Sequence, residues 1–325
     1  MTLESTNMLR GARILVDTCA AVRPGDKCVV ITDHGRLAIA EAVLAVLFER
    51  GLDPVLCMMG PRATHGQEPP ESIAAAAREA DVVFAPTTFS LAHSDARFKA
   101  CQAGARWVNM PDYHNCMMVS GGLYADFDAC NILAQKLADV LTEGTTVSVE
   151  TPSGSRFTSS IRGRVGRNQS GLVREPGSFG SPPDIESHVA PVEDSTEGVF
   201  VADASIPLPE IGVLTEPVSI QIHRGRINAI EGGAAARILS DILTRFRNPA
   251  VYVAAEIGIG LNPEARFIGA MLEDEGVGGS IHVGFGDNHG IGGQNLAPAH
   301  IDLVARKPTV TVDGRRIIID GELQI

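Results

Sequence analysis

The texture of the chain changes near Thr145, and that change restricts the fold to a two-part layout. Before it, short apolar runs alternate with amphipathic segments. KCVVITD (Lys27 to Asp33) reads as a buried strand, LAIAEAVLAVLFERG (Leu37 to Gly51) as a helix ending at glycine, and DPVLCMM (Asp53 to Met59) as a second strand. The alternation continues with a helix over Glu71 to Ala80, a strand over Asp81 to Thr87, a helix over Ala92 to Ala103 and a strand over Ala105 to Pro111. A last helix runs from about Asp126 to Leu141. Strands and helices in alternation imply a parallel sheet covered on both faces, so residues 1–145 are expected to form a Rossmann-like α/β domain.

After Thr145 the segments TTVSVET, SRFTSSIRG, EGVFVADASI, VSIQIHRGRINAIEG and TVTVDGRRIIIDGEL are rich in Val, Ile and Thr. HRGR (His223 to Arg226) and VDGRR (Val312 to Arg316) read as hairpin turns. One helix, Gly233 to Arg247, interrupts, and Asn248-Pro249 stops it. Residues 146–325 are thus expected to form a second, β-rich domain, giving α/β followed by α+β. With 325 residues and 44% hydrophobic content, the chain can bury two cores.

A formal charge of −12 argues against a nucleic-acid or anionic-membrane partner, because either needs a concentrated basic face. One basic cluster exists, Arg162, Arg164 and Arg167. It reads as a solvated hairpin or a subunit contact, with a site for an anionic substrate group as the alternative. No GxGxxG follows the first strand and no GxxxxGK[ST] occurs, so nucleotide binding is not supported. The N-terminus lacks a signal-peptide pattern, and the longest apolar run, Ile39 to Phe48, is too short to span a bilayer. These features imply a cytoplasmic protein. The 6 cysteines carry no CxxC pair, which fits reduced thiols. His34 reads as a loop residue, and His114 with Cys116 as structural.

Chemistry concentrates in SIHVGFGDNHGIGGQNLAPAHID, Ser280 to Asp302. His300 and Asp302 lie two apart in an alternating run, so on a strand both point to one face, and His282 sits in a run of the same kind. Imidazole and carboxylate suit zinc, manganese, cobalt or ferrous iron. The alternative is a Gly-rich loop with ordinary surface histidines, since no HExxH motif occurs. Upstream, Glu256 closes the apolar run VYVAAE and leads into what reads as a Gly-x-Gly turn. Glu186 and His188 lie in SPPDIESHVAPVEDSTEG, followed by Glu193, Asp194 and Glu197, and most of these acids are expected to be solvated. Phe200, Phe267 and Phe285 are the aromatic candidates for lining a pocket.

These motifs resemble the metallopeptidases of the aminopeptidase T type. The resemblance is carried by E-S-H-V-A-P-V-E-D-S-T-E-G (Glu186 to Gly198), A-E-I-G-I-G-L-N-P (Ala255 to Pro263), I-H-V-G-F-G (Ile281 to Gly286) and A-H-I-D (Ala299 to Asp302). It spans most of residues 180–305, while the first 145 match only in general α/β character. It implies that Glu186, Glu256, His282, His300 and Asp302 ligate two divalent ions, zinc, manganese or cobalt, with Glu256 bridging. Glu186, Glu256 and His289 would be the catalytic residues. His289 falls where those peptidases carry a tyrosine, and a histidine there can donate a hydrogen bond to an oxyanion or act as an acid. The implied protein is a homodimer that hydrolyses an amide of a small molecule or short peptide. The charges agree: three gathered carboxylates repel unless cations neutralise them.

A related branch resembles this chain in the same domain and cleaves an aromatic ring: the 2,5-dihydroxypyridine dioxygenases, with one ferrous ion on two histidines and an aspartate. That pattern has histidine where this chain has Glu256 and lacks a counterpart of His282. The residues therefore favour the hydrolase over the dioxygenase. A third reading is a non-catalytic protein that binds a small ligand.

Overall fold

The computed structural model describes residues 3–325. The chain divides into two compact units, one of residues up to 127 together with 170–183, the other of 128–169 and 184–325. The boundary expected at 145/146 falls inside the second unit. The long helix Phe127–Glu143 turns Leu137 and Leu141 into the core of the β-rich unit. The segment 170–183 returns to the first unit, where Phe179–Gly180 adds a strand that local sequence pattern does not announce.

Among the described residues, the first unit holds a five-stranded parallel sheet in the order Val55–Met59, Cys28–Asp33, Val82–Thr87, Arg106–Pro111, Phe179–Gly180. Cys28–Asp33, Val82–Thr87 and Arg106–Pro111 are buried along their whole length, as continuous apolar strands covered on both faces must be. Val55–Met59 is an edge strand with Val55, Leu56 and Met58 exposed. The N-terminal segment is helical, Leu3–Arg13 running into a π turn over Ile14–Cys19. At the carboxyl ends of neighbouring strands, where such sheets bind ligands, Asp33 accepts hydrogen bonds from the Gly35 and Thr88 amides and the Thr88 hydroxyl. His34 and His114 are exposed, and all the cysteines are free thiols.

The second unit stacks two sheets. Eight antiparallel strands follow the order Arg226–Gly232, Val218–His223, Glu197–Ala202, Arg156–Ser160, Thr146–Glu150, Thr309–Val312, Arg315–Ile319, Glu322–Leu323. Seven follow the order Gly212–Val213, Ser205–Ile206, His300–Arg306, Ser280–Gly286, Ala254–Gly260, Glu186–Val189, Arg167–Gln169. The expected hairpins at 223–226 and 312–316 form, with Arg224, Gly225, Asp313 and Gly314 at positive φ.

Alternation in the seven-stranded sheet decides where the chemistry goes. Val189, Ile257, Ile259, Ile281, Val283, Phe285, Ile301, Leu303 and Ala305 join the core shared with the other sheet. Glu186, His188, Glu256, His282, His300 and Asp302 occupy the intervening positions and fall on the opposite face. A register irregularity between Ala254 and Glu256 lets Ala254 and Ile257 both reach the core while Glu256 turns away. Phe200 and Phe285 are fully packed core residues rather than pocket walls, and Phe267 carries the Arg306 guanidinium on its ring. No helix among the described residues is long and apolar enough to cross a membrane.

Candidate metal centre

The four central strands of that sheet bring all five sequence-predicted ligands together. His282 Nε2 lies 3.0 Å from Glu186 Oε2 and 3.8 Å from Glu256 Oε1. His300 Nε2 lies 3.2 Å from Glu256 Oε2 and 3.1 Å from Asp302 Oδ1. His188, which no motif had singled out as a ligand, joins them, with Nδ1 2.8 Å from Glu186 Oε1 and 3.2 Å from Glu256 Oε1. Its signal was available: Glu186 and His188 share strand parity just as His300 and Asp302 do.

Glu256 sits within its strand, not at the end of it. Gly258 and Gly260, read from sequence as a turn, continue the same strand. Their role is space. Gly258 pairs with both His282 and His188 on the neighbouring strands, and a Cβ on it would stand 2.0 Å from His282 Nε2. Gly284 pairs with Glu256 and Asp302, and a Cβ there would stand 2.3 Å from His300 Nε2. Glycines facing the ligands across the ladder let bulky polar side chains converge over the sheet.

His289 is exposed on the short 3-10 turn His289–Ile291. Two acids the sequence had not marked lie beside the cluster, Asp184 and Glu275, both buried. Gln169 donates to Asp184 Oδ2 at 2.9 Å. Burial first, then Glu186, pushes the Asp184 carboxyl well above the usual range, and burial with Asp302, Asp184, Glu186 and Glu256 does the same to Glu275.

The charge expectation needs one amendment, because imidazoles interleave with the carboxylates. Burial is the largest influence on His188 and pulls it down, but Glu256 and Glu186 together outweigh it and leave it raised to about 9. His282 and His300 are likewise pulled down by burial and carried well above the ordinary histidine value by Glu186 and Asp302 respectively. Burial raises Glu256, yet His188, His282 and His300 hold it well below the usual carboxylate range. Without a cation, imidazolium ions balance the acids.

The donors fit a metal ion. The ligand atoms of Glu256, His300 and Asp302 lie within 4.8 Å of one another, as do those of Glu186, His188 and Glu256. Glu186 Oε2, His188 Nε2 and His282 Nδ1 are buried without a hydrogen-bond partner. Glu186 Oε2 and His282 Nε2 approach to 3.0 Å, placing one donor atom of each residue at the centre of the cluster. His300 Nδ1 lies 2.6 Å from the Asp287 carbonyl oxygen, an acceptor only, so Nδ1 bears the proton and Nε2 is left for ligation.

Two stacked sheets with a buried carboxylate and imidazole cluster on one face define a protein with the donor set of a metal centre. The family model for 2,5-dihydroxypyridine 5,6-dioxygenase (NicX) matches residues 17–325, so the chain belongs to that family. The curated 2,5-dihydroxypyridine 5,6-dioxygenase of Pseudomonas putida (strain KT2440) is 27% identical over 249 residues, 73% of this chain and 69% of that protein. The solved 2,5-dihydroxypyridine dioxygenase from Pseudomonas putida KT2440 superposes with a TM-score of 0.81 at 21% identity, covering 100% of this chain and 98% of that one. AmpT from Thermus thermophilus superposes with a TM-score of 0.72 at 14% identity, covering 98% and 99%. At these identities the two superpositions speak for the fold alone.

The family match overturns the expectation of an amide hydrolase and with it the aminopeptidase assignment. Glu256 and His282, the residues that favoured hydrolysis, do lie in the cluster. They do not decide the reaction, because one fold hosts more than one chemistry.

Proposed function

We propose that the protein is a ring-opening dioxygenase acting on 2,5-dihydroxypyridine or a closely related dihydroxylated N-heteroaromatic, with ferrous iron at the cluster. The convergence of Glu256, His300 and Asp302 carries this reading. Two carboxylates and one imidazole gathered on a single face are the donor types of facial non-haem iron sites, although those usually carry two histidines and one carboxylate. A ferrous ion held there would supply the redox centre that lets a ring react with dioxygen. The protein's own groups do the rest. His300 is kept in the Nδ1–H tautomer by the Asp287 carbonyl, so its Nε2 is left to join Glu256 and Asp302 in ligation. Glu186 and His188 form a buried pair beside the same face, His188 Nδ1 lying between two carboxylate oxygens, and the Glu186 carboxylate is the group there that can take up a proton from a ring hydroxyl. Gly258 and Gly284 leave the room in which the His282 and His300 imidazoles sit.

Protein loaded anaerobically with ferrous iron is to be mixed with 2,5-dihydroxypyridine in an oxygen electrode. Equimolar uptake of oxygen and loss of the ring chromophore support the proposal. An unchanged ring, with iron demonstrably bound, rejects this substrate class.

A further inference from the structure

The strands Ser280–Gly286 and His300–Arg306, which carry His282, His300 and Asp302, are joined by residues 287–299, a Gly-rich segment whose sequence reads as a loose loop. It is tied down at both levels. Internally it winds around Asn288, which is 1% exposed: Asn288 Oδ1 accepts from the Asn295 amide at 2.8 Å, and the Gly293 amide donates to the Asn288 carbonyl at 2.8 Å. Asn295 Nδ2 in turn donates to the carbonyls of Gly286 at 2.6 Å and Ala250 at 2.9 Å.

Externally, an ion pair grips it. Arg164 and Glu193 meet at 2.5 Å, with side chains 11% and 21% exposed. Glu193 Oε1 accepts from the Gln294 amide at 2.6 Å and from Asn288 Nδ2 at 3.3 Å. Arg164 Nη1 donates to the Gly292 carbonyl at 2.6 Å, and Arg167 Nε donates to the Ile291 carbonyl at 3.0 Å. Glu193, one of a group of acids expected from sequence to be mostly solvated, is thus held by Arg164 on one oxygen and by the loop on the other. Two arginines of the basic cluster are committed to loop carbonyls rather than to a substrate anion.

We infer that Arg164 and Glu193 are positioning residues for the metal centre: by fixing Asn288 and its neighbours they hold the adjacent Asp287 carbonyl where it sets the orientation and tautomer of His300. The path is short and continuous. Glu193 holds Asn288, Asn288 is bonded to Asp287, and the Asp287 oxygen accepts a hydrogen bond from His300 Nδ1–H at 2.6 Å. The Asp287 amide also donates to the Ala299 carbonyl at 2.8 Å, closing the loop at its base. Groups that orient a metal-bound histidine through its other nitrogen govern metal affinity almost as strongly as the ligands do.

The inference rests on His300 being a metal ligand, so its test has one readout that needs no metal. Hydrogen exchange across 287–299 and the affinity for ferrous or cobaltous ion are to be measured for the whole protein and for Glu193→Ala, Glu193→Gln and Arg164→Lys. Expected are faster exchange confined to 287–299 in all three and a metal affinity about tenfold lower in Glu193→Ala. Glu193→Gln, which keeps the acceptor for the Gln294 amide, should fall between it and the parent. Should Glu193→Ala not fold, Arg164→Lys, which replaces the planar fork on Glu193 and Gly292 by a single ammonium on a flexible stem, carries the same expectation. Faster exchange with unchanged metal affinity overturns the proposal, as does unchanged exchange. A parent protein that binds no metal leaves the exchange result standing and instead defeats the iron-site reading.

Discussion

Gly258 lies directly across the ladder from His282, so close that a methyl group on it would stand 2.0 Å from the imidazole Nε2. The absent side chain is therefore a component of the cluster. Gly258→Ala must displace His282, since the strand backbone beneath it is held in a ladder on both sides. Metal affinity should fall about 10–100-fold, the range seen when supporting groups of a metal site are disturbed. Titration with cobaltous ion, followed by its visible absorption, checks this. Unaltered affinity would mean that His282 takes no part.

Glu256 touches every imidazole of the cluster: His188 at 3.2 Å, His282 at 3.8 Å and His300 at 3.2 Å. Glu256→Ala and Asp302→Ala should each lose bound metal and turnover to a greater degree than the glycine variant. Elemental analysis after dialysis reads the first and oxygen uptake the second. His289→Ala, on the exposed turn, should keep its metal.

The metal-free protein should lose stability as pH rises. His188 is raised from the ordinary 6.5 to about 9, so its protonated form stabilises the fold fully below the unfolded value and ceases to do so above the folded one. His282 and His300 are raised too, and the buried acids Asp184 and Glu275, also raised, oppose folding as they ionise. Glu256 is lowered, so its contribution is present at neutral pH and lost only in acid. Melting in chelator should therefore show a Tm lower by about 5 °C or more at pH 9 than at pH 6.5. Saturating metal, which replaces the imidazolium charges, should flatten the slope. A Tm in chelator that rises over this interval would contradict the arrangement.

Phe200 is fully buried and meets Phe157 edge to face at 6.0 Å between centroids. Phe200→Ala should cost about 3–5 kcal/mol of stability and leave KM unchanged, as measured by denaturant melts and steady-state kinetics. A changed KM with intact stability would return this ring to the substrate pocket.

Residue types and parity carried much of this site. His300 and Asp302 at i and i+2 in an alternating run had to share a face, and the same logic applied to Glu186 and His188 would have added the sixth member. The glycines were harder. Gly258 and Gly260 have the composition of a turn, and only the register between strands reveals that Gly258 makes room for the His282 imidazole and Gly260 for the backbone of 275–277. The helix Phe127–Glu143 was legible as a helix, but its packing partner was not, because an amphipathic face does not state which core it joins. Nor could the strand at Phe179–Gly180 be seen, since two residues carry no period. The reaction was least legible of all: carboxylates and imidazoles announce a cation, while the fate of the substrate depends on which ion is held and what the open face admits.

The most direct test is to run the iron-loaded enzyme on 2,5-dihydroxypyridine under 18O2 in ordinary water and weigh the ring-opened product. Ring-opening dioxygenation predicts that the product retains label from molecular oxygen and that none forms when oxygen is excluded. Turnover that proceeds without oxygen, or a product whose new oxygen comes only from water, would contradict it.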